Sequence, residues 1–394
     1  MTKVLRILNR FNIGGPTYNA AYLSKYLSSD FETKLIGGEK CESEDSSEYI
    51  LREMGIKPVI IKEMQRKINP RKDLIAYRKI KQIIKEYKPD IVHTHASKAG
   101  MLGRLAAINT NVPIIIHTFH GHIFHSYFNA YKTKFFKEIE RKLANRSSKI
   151  IAISEKQQYE LSEVHKIAQK DKFSVIPLGF DLTKFHENTD YKRTKFRNDY
   201  KIADDEIAIA IVGRLAPIKN HSLFLKAIKF VVDNSSKKIR AFIIGDGESR
   251  KEIIKKAEML GLDYSFKKEK ATINFTSWIT DVDCVYAGVD IVTLTSLNEG
   301  TPVSLIEAQA ANKPVLSTKV GGIENVVISE KTGLLANIDD TFDYSNKLLK
   351  LVENNDFRYN LSKQGWQNVK EKYSYESLIR NTENLYNELL SQQN

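Results

Sequence analysis

Cysteine is nearly missing from this chain. Cys41 and Cys284 are the only two in 394 residues, far apart and outside any Cys-x-x-Cys. That argues against a disulfide framework or a cysteine-built zinc site and fits a reducing cytoplasm. Long apolar runs are missing too. The longest, such as Ile114-Ile-Ile, are strand-sized, well short of the ~20 residues that span a bilayer. There is no low-complexity tract and no repeat of fixed period. The opening Met1-Thr-Lys-Val-Leu-Arg-Ile-Leu carries charges inside its apolar run, so it reads as a first strand and not as a signal peptide. What is present is 42% hydrophobic and 28% charged, the balance of a globular protein. The length exceeds one ordinary core and suits two domains of roughly 150–200 residues.

The net charge of +13 is unevenly spread. Residues 1–184 hold 32 basic and 19 acidic side chains, whereas residues 185–394 hold 29 of each. The whole excess therefore lies in the first half. Within it, residues 62–88 carry ten basic and three acidic side chains, and residues 127–149 carry seven and two. A solvated basic face is the plain explanation. The sharper one is an anionic partner that meets only the first domain. Tyr131-Lys-Thr-Lys-Phe-Phe-Lys-Glu-Ile-Glu-Arg-Lys-Leu interleaves apolar and basic residues at helical spacing, which favours an anionic membrane surface over nucleic acid.

β-branched runs alternate with helical patterns throughout. Strands are expected at 4–8, 34–37, 58–61, 91–93, 114–118, 150–153 and 174–176. A second set is expected at 207–212, 241–244, 273–275, 291–294 and 314–317. Helical patterns fill the gaps, among them 17–27, 74–87, 135–145, 222–232, 249–260, 303–311 and 341–353. Such alternation implies α/β architecture: two Rossmann-like, doubly wound domains with parallel sheets. The expected division is 1–184, 185–372 and a last helix in 373–394 that packs back on the first domain. Ligands of open parallel sheets bind at strand carboxyl ends, so the expected site is a cleft between the two domains.

The motifs follow strands. Asn298-Glu-Gly-Thr-Pro-Val-Ser-Leu-Ile-Glu places Gly300, Thr301, Pro302 and Val303 at a helix start, where free N–H groups and the dipole favour phosphate. Glu299 precedes that helix and Glu307 lies on it. Gly213-Arg-Leu-Ala-Pro-Ile-Lys-Asn supplies Arg214 as a bidentate clamp and Lys219 as a point charge, a pair suited to a diphosphate. In Asn12-Ile-Gly-Gly-Pro-Thr, Gly14 and Gly15 allow close backbone approach to a ligand. Six of nine histidines fall within 93–125, including His95, His120 and His122. With no HExxH or CxxC beside them, they are read as a polar acceptor pocket together with packed core residues, and no metal site is assigned. Lys98, at the start of the helix after His95, is a candidate for a second anionic group. Asp281-Val-Asp283 resembles a metal-binding DxD, but helix capping explains it better. Gly245-Asp-Gly247-Glu-Ser-Arg has Arg250 where a dinucleotide fingerprint needs glycine, so no nicotinamide cofactor is expected.

At these residues the chain resembles the group 1 retaining glycosyltransferases (glycosyltransferase family 4), which have the GT-B fold. The most specific match is Ser296-Leu-Asn-Glu-Gly-Thr-Pro-Val-Ser-Leu-Ile-Glu-Ala, the family's E-x7-E element, followed by the Gly213 motif and Val320-Gly-Gly-Ile-Glu-Asn-Val-Val. The first half, with His93-Thr-His-Ala-Ser-Lys-Ala-Gly and His117-Thr-Phe-His-Gly-His, resembles the bacterial branch that builds capsule, exopolysaccharide and lipid-linked glycans. The resemblance implies metal-independent, anomer-retaining transfer from a nucleotide sugar, UDP by family habit, to a saccharide or polyprenyl-diphosphate-linked saccharide. Arg214 and Lys219 would then hold the donor diphosphate, joined by the amides of Gly300–Val303. Glu299 would bind donor-sugar hydroxyls and Glu307 the ribose. Gly14 and Gly15 would approach the β-phosphate, and His120 would stand beside the reacting carbon.

Two other classes compete. A GT-B-shaped nucleotide-sugar epimerase would need acid–base residues over C2 and no second substrate, and the basic first half argues against it. A basic nucleic-acid module would leave the neutral second half unexplained.

Overall fold

In a computed structural model of the chain, residues 1–12, 15–39, 47–65, 67–120 and 130–393 are described. They form two compact units. The first is Met1–Phe180 with Lys372–Asn394, and the second is Asp181–Glu371.

The first unit is built on seven parallel strands: β1 (Thr2–Arg10), β2 (Phe31–Gly38), β3 (Val59–Ile60), β4 (Ile91–His95), β5 (Ile114–Phe119), β6 (Lys149–Ala152) and β7 (Phe173–Val175). Their order is β3-β2-β1-β4-β5-β6-β7. The chain reverses direction of growth between β1 and β4, so ligands are expected at the carboxyl ends of those two strands. Helices cover both faces. On one, Pro70–Tyr87 buries Ala76, Ile80, Ile84 and Tyr87, spaced three and four apart. Each such isoleucine contributes roughly 1.5–3 kcal/mol by leaving water. Its ends are specified locally: Asn69 accepts from the Lys72 amide, Pro70 opens the first turn, and Lys88 closes the helix in the left-handed region. The other face is covered by Gly15–Lys25 and by the last helix, Tyr375–Ser391. Leu378, Ile379, Leu385, Tyr386 and Leu389 of that helix join Val4, Ile91, Ile114 and Ile116 in one core.

The second unit repeats the plan with β8 (Glu206–Val212), β9 (Lys238–Ile244), β10 (Tyr264–Ser265), β11 (Ile273–Ser277), β12 (Ile291–Leu294), β13 (Val315–Thr318) and β14 (Gly333–Ala336). Its order is β10-β11-β9-β8-β12-β13-β14, again all parallel. Every residue of β8 is buried, which is why Glu206-Ile-Ala-Ile-Ala-Ile-Val reads as a continuous apolar run. The reversal falls between β8 and β12.

The sequence missed β10 and β14. β10 has two residues, and β14 is a four-residue, mostly buried run, Gly333-Leu-Leu-Ala, that opens on glycine; both are too short for a strand period to show. No described helix is long and apolar enough to cross a membrane.

Candidate functional site

Within the second unit, two loops meet at the strand reversal. One follows β8 and turns through a 3₁₀ segment, Pro217–Lys219; the other follows β12. Thr295 Oγ1 donates to the Lys219 carbonyl (2.8 Å), and the Leu297 amide donates to the Ile218 carbonyl (2.8 Å). Held in this way, Lys219 Nζ donates to Glu299 Oε1 at 2.5 Å, and Ser296 Oγ donates to the same oxygen at 2.5 Å. Both donors converge on one carboxylate oxygen, Glu299 Oε1. The loop behind is fixed by close backbone contact. Gly321 has φ +56°, and a Cβ there would lie 1.9 Å from the Glu299 carbonyl oxygen, so only glycine fits.

The helix after Glu299 is Val303–Ala310. Pro302 is its N-cap and makes no side-chain cap. The sequence placed Pro302 in the first turn; with ψ at 87° it stands just outside the helix. The first-turn amides keep the polarity that attracts anions. A Cβ on Gly300 would meet nothing within 4 Å, so that glycine leaves open space beside the helix start. Thr301 and Val303 are partly buried. One turn on, Glu307 accepts from the Tyr286 hydroxyl at 3.0 Å. Burial raises the Glu307 carboxyl to about 7, partly offset by that hydrogen bond.

Arg214 leaves β8 on the same loop but is largely exposed and pairs with Glu248 at 3.0 Å. Such an exposed pair is weak and exchanges readily for a better anion. The loop is set by Gly245, where φ is +137° and a Cβ would lie 2.0 Å from the Gly213 carbonyl oxygen. The Leu215 amide donates to the Asp246 carbonyl at 3.0 Å.

In the first unit, the carboxyl ends of β4 and β5 carry a buried histidine cluster. His93, His95 and His117 are within 1% of fully buried. Burial, assisted by the Arg6 or Arg104 guanidinium, holds all three well below the usual imidazole range. His95 Nδ1 lies 3.0 Å from His120 Nε2, and burial pushes His120 down to about 4. The cluster is thus uncharged at neutral pH. Lys98 sits elsewhere, donating to Asp73 (2.8 Å) and to the Lys67 carbonyl (2.5 Å) with its side chain 10% exposed. It fastens two helices, giving two of its three N–H donors to those protein partners. Gly15 opens the helix Gly15–Lys25 after β1, with Leu178 Cδ1 3.6 Å from where a Cβ would sit. Gly14, His122 and Cys41 lie outside the described residues.

The structure therefore gathers Lys219, Glu299 and the Gly300–Val303 tip, with Glu307 one turn on, in one unit. It pairs His95 with His120 in the other. Capping does not explain Asp281 and Asp283. Asp281 occupies an N-cap position but makes no cap bond. The two carboxylates are instead held by Lys195 (3.2 Å) and Lys192 (2.9 Å) of the helix Thr189–Asp199. Among the described residues, no three His, Cys, Asp or Glu side chains are placed to hold a metal ion. Sequence reasoning missed Ser296 and Gly321, although both stand in motifs it quoted. It also dismissed Gly245 as a failed fingerprint, when its role is to shape the Arg214 loop. Nothing in the sequence marked Tyr286, and Arg6 stood out only as a charge inside the first strand's apolar run.

Comparison with known proteins matches residues 13–184 to the Glycosyltransferase Family 4 model and residues 192–368 to the model of Glycosyl transferases group 1. A UDP-Gal:alpha-D-GlcNAc-diphosphoundecaprenol alpha-1,3-galactosyltransferase of Escherichia coli is 29% identical over 76% of this chain and 75% of its own. The capsular polysaccharide biosynthesis glycosyltransferase CapM of Staphylococcus aureus is 25% identical over 84% and 86%. Among solved structures, Anabaena HepE in complex with UDP superposes with a TM-score of 0.81 at 18% identity, covering 98% of this chain and 100% of that one.

Proposed function

The chain belongs to the group 1 and family 4 glycosyltransferases, and from that premise we propose that it moves a sugar from a UDP-sugar, with retention at the anomeric carbon, to a lipid-linked saccharide in bacterial surface-glycan synthesis. The observation that carries this reading is the Lys219–Glu299 pair beside the uncapped helix start at Val303. A donor diphosphate takes Lys219 and the helix amides, and Arg214 leaves Glu248 to join them. Glu299 Oε2 accepts from donor-sugar hydroxyls, and Glu307 accepts from the ribose. By the family resemblance, Gly15 serves the β-phosphate and His120 the reacting carbon.

Breaking the sugar C1–O bond leaves the electron pair on the diphosphate and positive charge on the sugar. Fixed cations and amides aimed at that diphosphate stabilise the charge as it develops. The acceptor hydroxyl attacks from the face the diphosphate leaves, and its proton passes to a diphosphate oxygen. No step requires a metal. The UDP complex of HepE and the names of the two relatives support the donor and the acceptor. The basic excess of the first unit supports docking at an anionic membrane. In Pro70–Tyr87 the exposed Leu74 and Ile75 stand among Arg71, Lys72, Arg78 and Lys79.

The test is donor turnover with and without a polyprenyl-diphosphate-linked saccharide, in buffer containing EDTA. UDP release that depends on acceptor and persists in EDTA is expected. Turnover of the donor sugar without acceptor would point to an epimerase, and activity restored only by added metal would overturn the metal-free mechanism.

A further inference from the structure

The second unit contains a buried phenol that the transferase reading leaves unused. Tyr286 lies on the helix Val282–Gly288 and is fully buried. That helix is clamped against the helix Thr189–Asp199. Lys192 pairs with Asp283 at 2.9 Å near its start, and Gly288 ends it so close to its neighbour that a Cβ there would lie 2.3 Å from Phe196 Cδ1. The Tyr286 ring meets the Phe185 ring edge-on, with centroids 5.6 Å apart. Phenylalanine would fill the same space with the same packing. The one group that tyrosine adds is the hydroxyl, and its hydrogen bond goes to Glu307 Oε2 at 3.0 Å.

Chemistry gives that bond its direction. Burial and the adjacent Glu307 carboxylate push the Tyr286 phenol well above its usual range, so it keeps its proton and donates. Glu307 accepts. The glutamate is partly exposed. Among the described residues nothing donates to its Oε1, and that oxygen is not enclosed. One oxygen is thus tied into the protein and the other is open. A carboxyl held at about 7 by desolvation costs the fold stability that an apolar residue would not, which points to a use for it in binding.

We propose that Tyr286 is a positioning residue for Glu307: its hydroxyl fixes Oε2 and so holds the carboxylate in one orientation, with Oε1 free to accept from a ribose hydroxyl of the nucleotide. This inference rests on the assignment of Glu307 to the ribose. A glutamate side chain is flexible, and ordering it before the nucleotide arrives removes that entropy cost from binding. The other charged groups facing Glu307 are Lys184 and Asp283, of opposite sign. They bias its charge, but Tyr286 supplies the hydrogen bond.

The experiment measures calorimetric Kd for UDP, 2′-deoxy-UDP and 3′-deoxy-UDP with the full chain, as wild type, Tyr286→Phe and Glu307→Ala. The deoxy penalty, the ratio of deoxy-UDP to UDP Kd, reports the ribose contact. A wild-type penalty of roughly ten- to hundredfold is expected for at least one deoxynucleotide, the scale of a hydrogen bond to a charged group. Tyr286→Phe should cut that penalty at least about threefold, and Glu307→Ala should abolish it. A fold that was merely loosened would weaken all three nucleotides alike and keep the ratio. A ratio kept in Tyr286→Phe but lost in Glu307→Ala therefore sinks the proposal and leaves the ribose assignment standing. A ratio kept in Glu307→Ala removes both, while donor turnover, which stands on Lys219, is untouched. The pH profile of the ratio gives a second reading, because titration of the diphosphate cancels in it. The penalty should grow with pH as Glu307 ionises near 7. Tyr286→Phe lacks the bond that favours the ionised form, so its rise should come at higher pH. A rise at the wild-type pH in that variant overturns the proposal.

Discussion

The two units share a sheet order and a strand-reversal point, yet they furnish that point in opposite ways. In the second unit the carboxyl ends of β8 and β12 carry a charged, half-open pair, Lys219 and Glu299, beside a helix start. In the first, the ends of β4 and β5 are packed with neutral histidines over a buried guanidinium. A site that must hold a diphosphate needs charge that can change partner, and loops supply it. The histidines of the first unit have no such freedom, because buried strands pack them in place.

The strongest way to break this contrast is at Lys219. Lys219→Ala should lower kcat by at least about tenfold and up to ~10³, as for loss of a preorganised oxyanion partner, with a smaller fall for Arg214→Ala. Full activity in either variant would remove the diphosphate role. Glu307→Ala should act next and differently, raising donor KM several-fold, about the cost of one charged hydrogen bond, with little change in kcat. An unchanged KM would count against ribose contact.

The smallest effect is the most direct comparison of the two environments. His120, lowered to about 4, favours its neutral form when folded. The first unit therefore gains stability as pH rises from about 4 to 6.5 and loses it on acidification through that window. Glu307, raised to about 7, is bound to its proton more tightly in the folded protein. The second unit loses that contribution as pH rises from about 4.5 to 7. Hydrogen exchange followed separately on β5 and on Val303–Ala310 should show slopes of opposite sign between pH 4.5 and 6.5. Parallel slopes would mean that the two sites do not differ in the way described.

Much of the fold was legible because parallel strands buried on both faces announce themselves as apolar runs. Ile291–Leu294 and the helix Thr341–Glu353 match their sequence-based bounds. Pairs formed by side chains from neighbouring loops were legible only as candidates. Lys219 and Glu299 are eighty residues apart, and nothing local says that they touch. Arg6 was unreadable for a different reason. In an exposed first strand it would be an ordinary surface charge; only the burial of β1 between two strands and under the final helix turns it into a core residue. The capping reading of Asp281 and Asp283 failed because capping is a local rule, and lysines from a helix far off in sequence supplied the partners.

The return of Tyr375–Ser391 to the first unit has a bearing on biogenesis. Leu378, Leu385, Tyr386 and Leu389 complete a core that begins at Val4. During translation, β1 through β7 must wait for the entire second unit to emerge before that core can close. Until then Arg6 and His93 lack the Tyr386 hydroxyl, and the apolar face beneath the missing helix stays wet. The nascent first unit is thus the stage at which chaperones have most to grip, and the second unit, contiguous in sequence, is free to fold ahead of it.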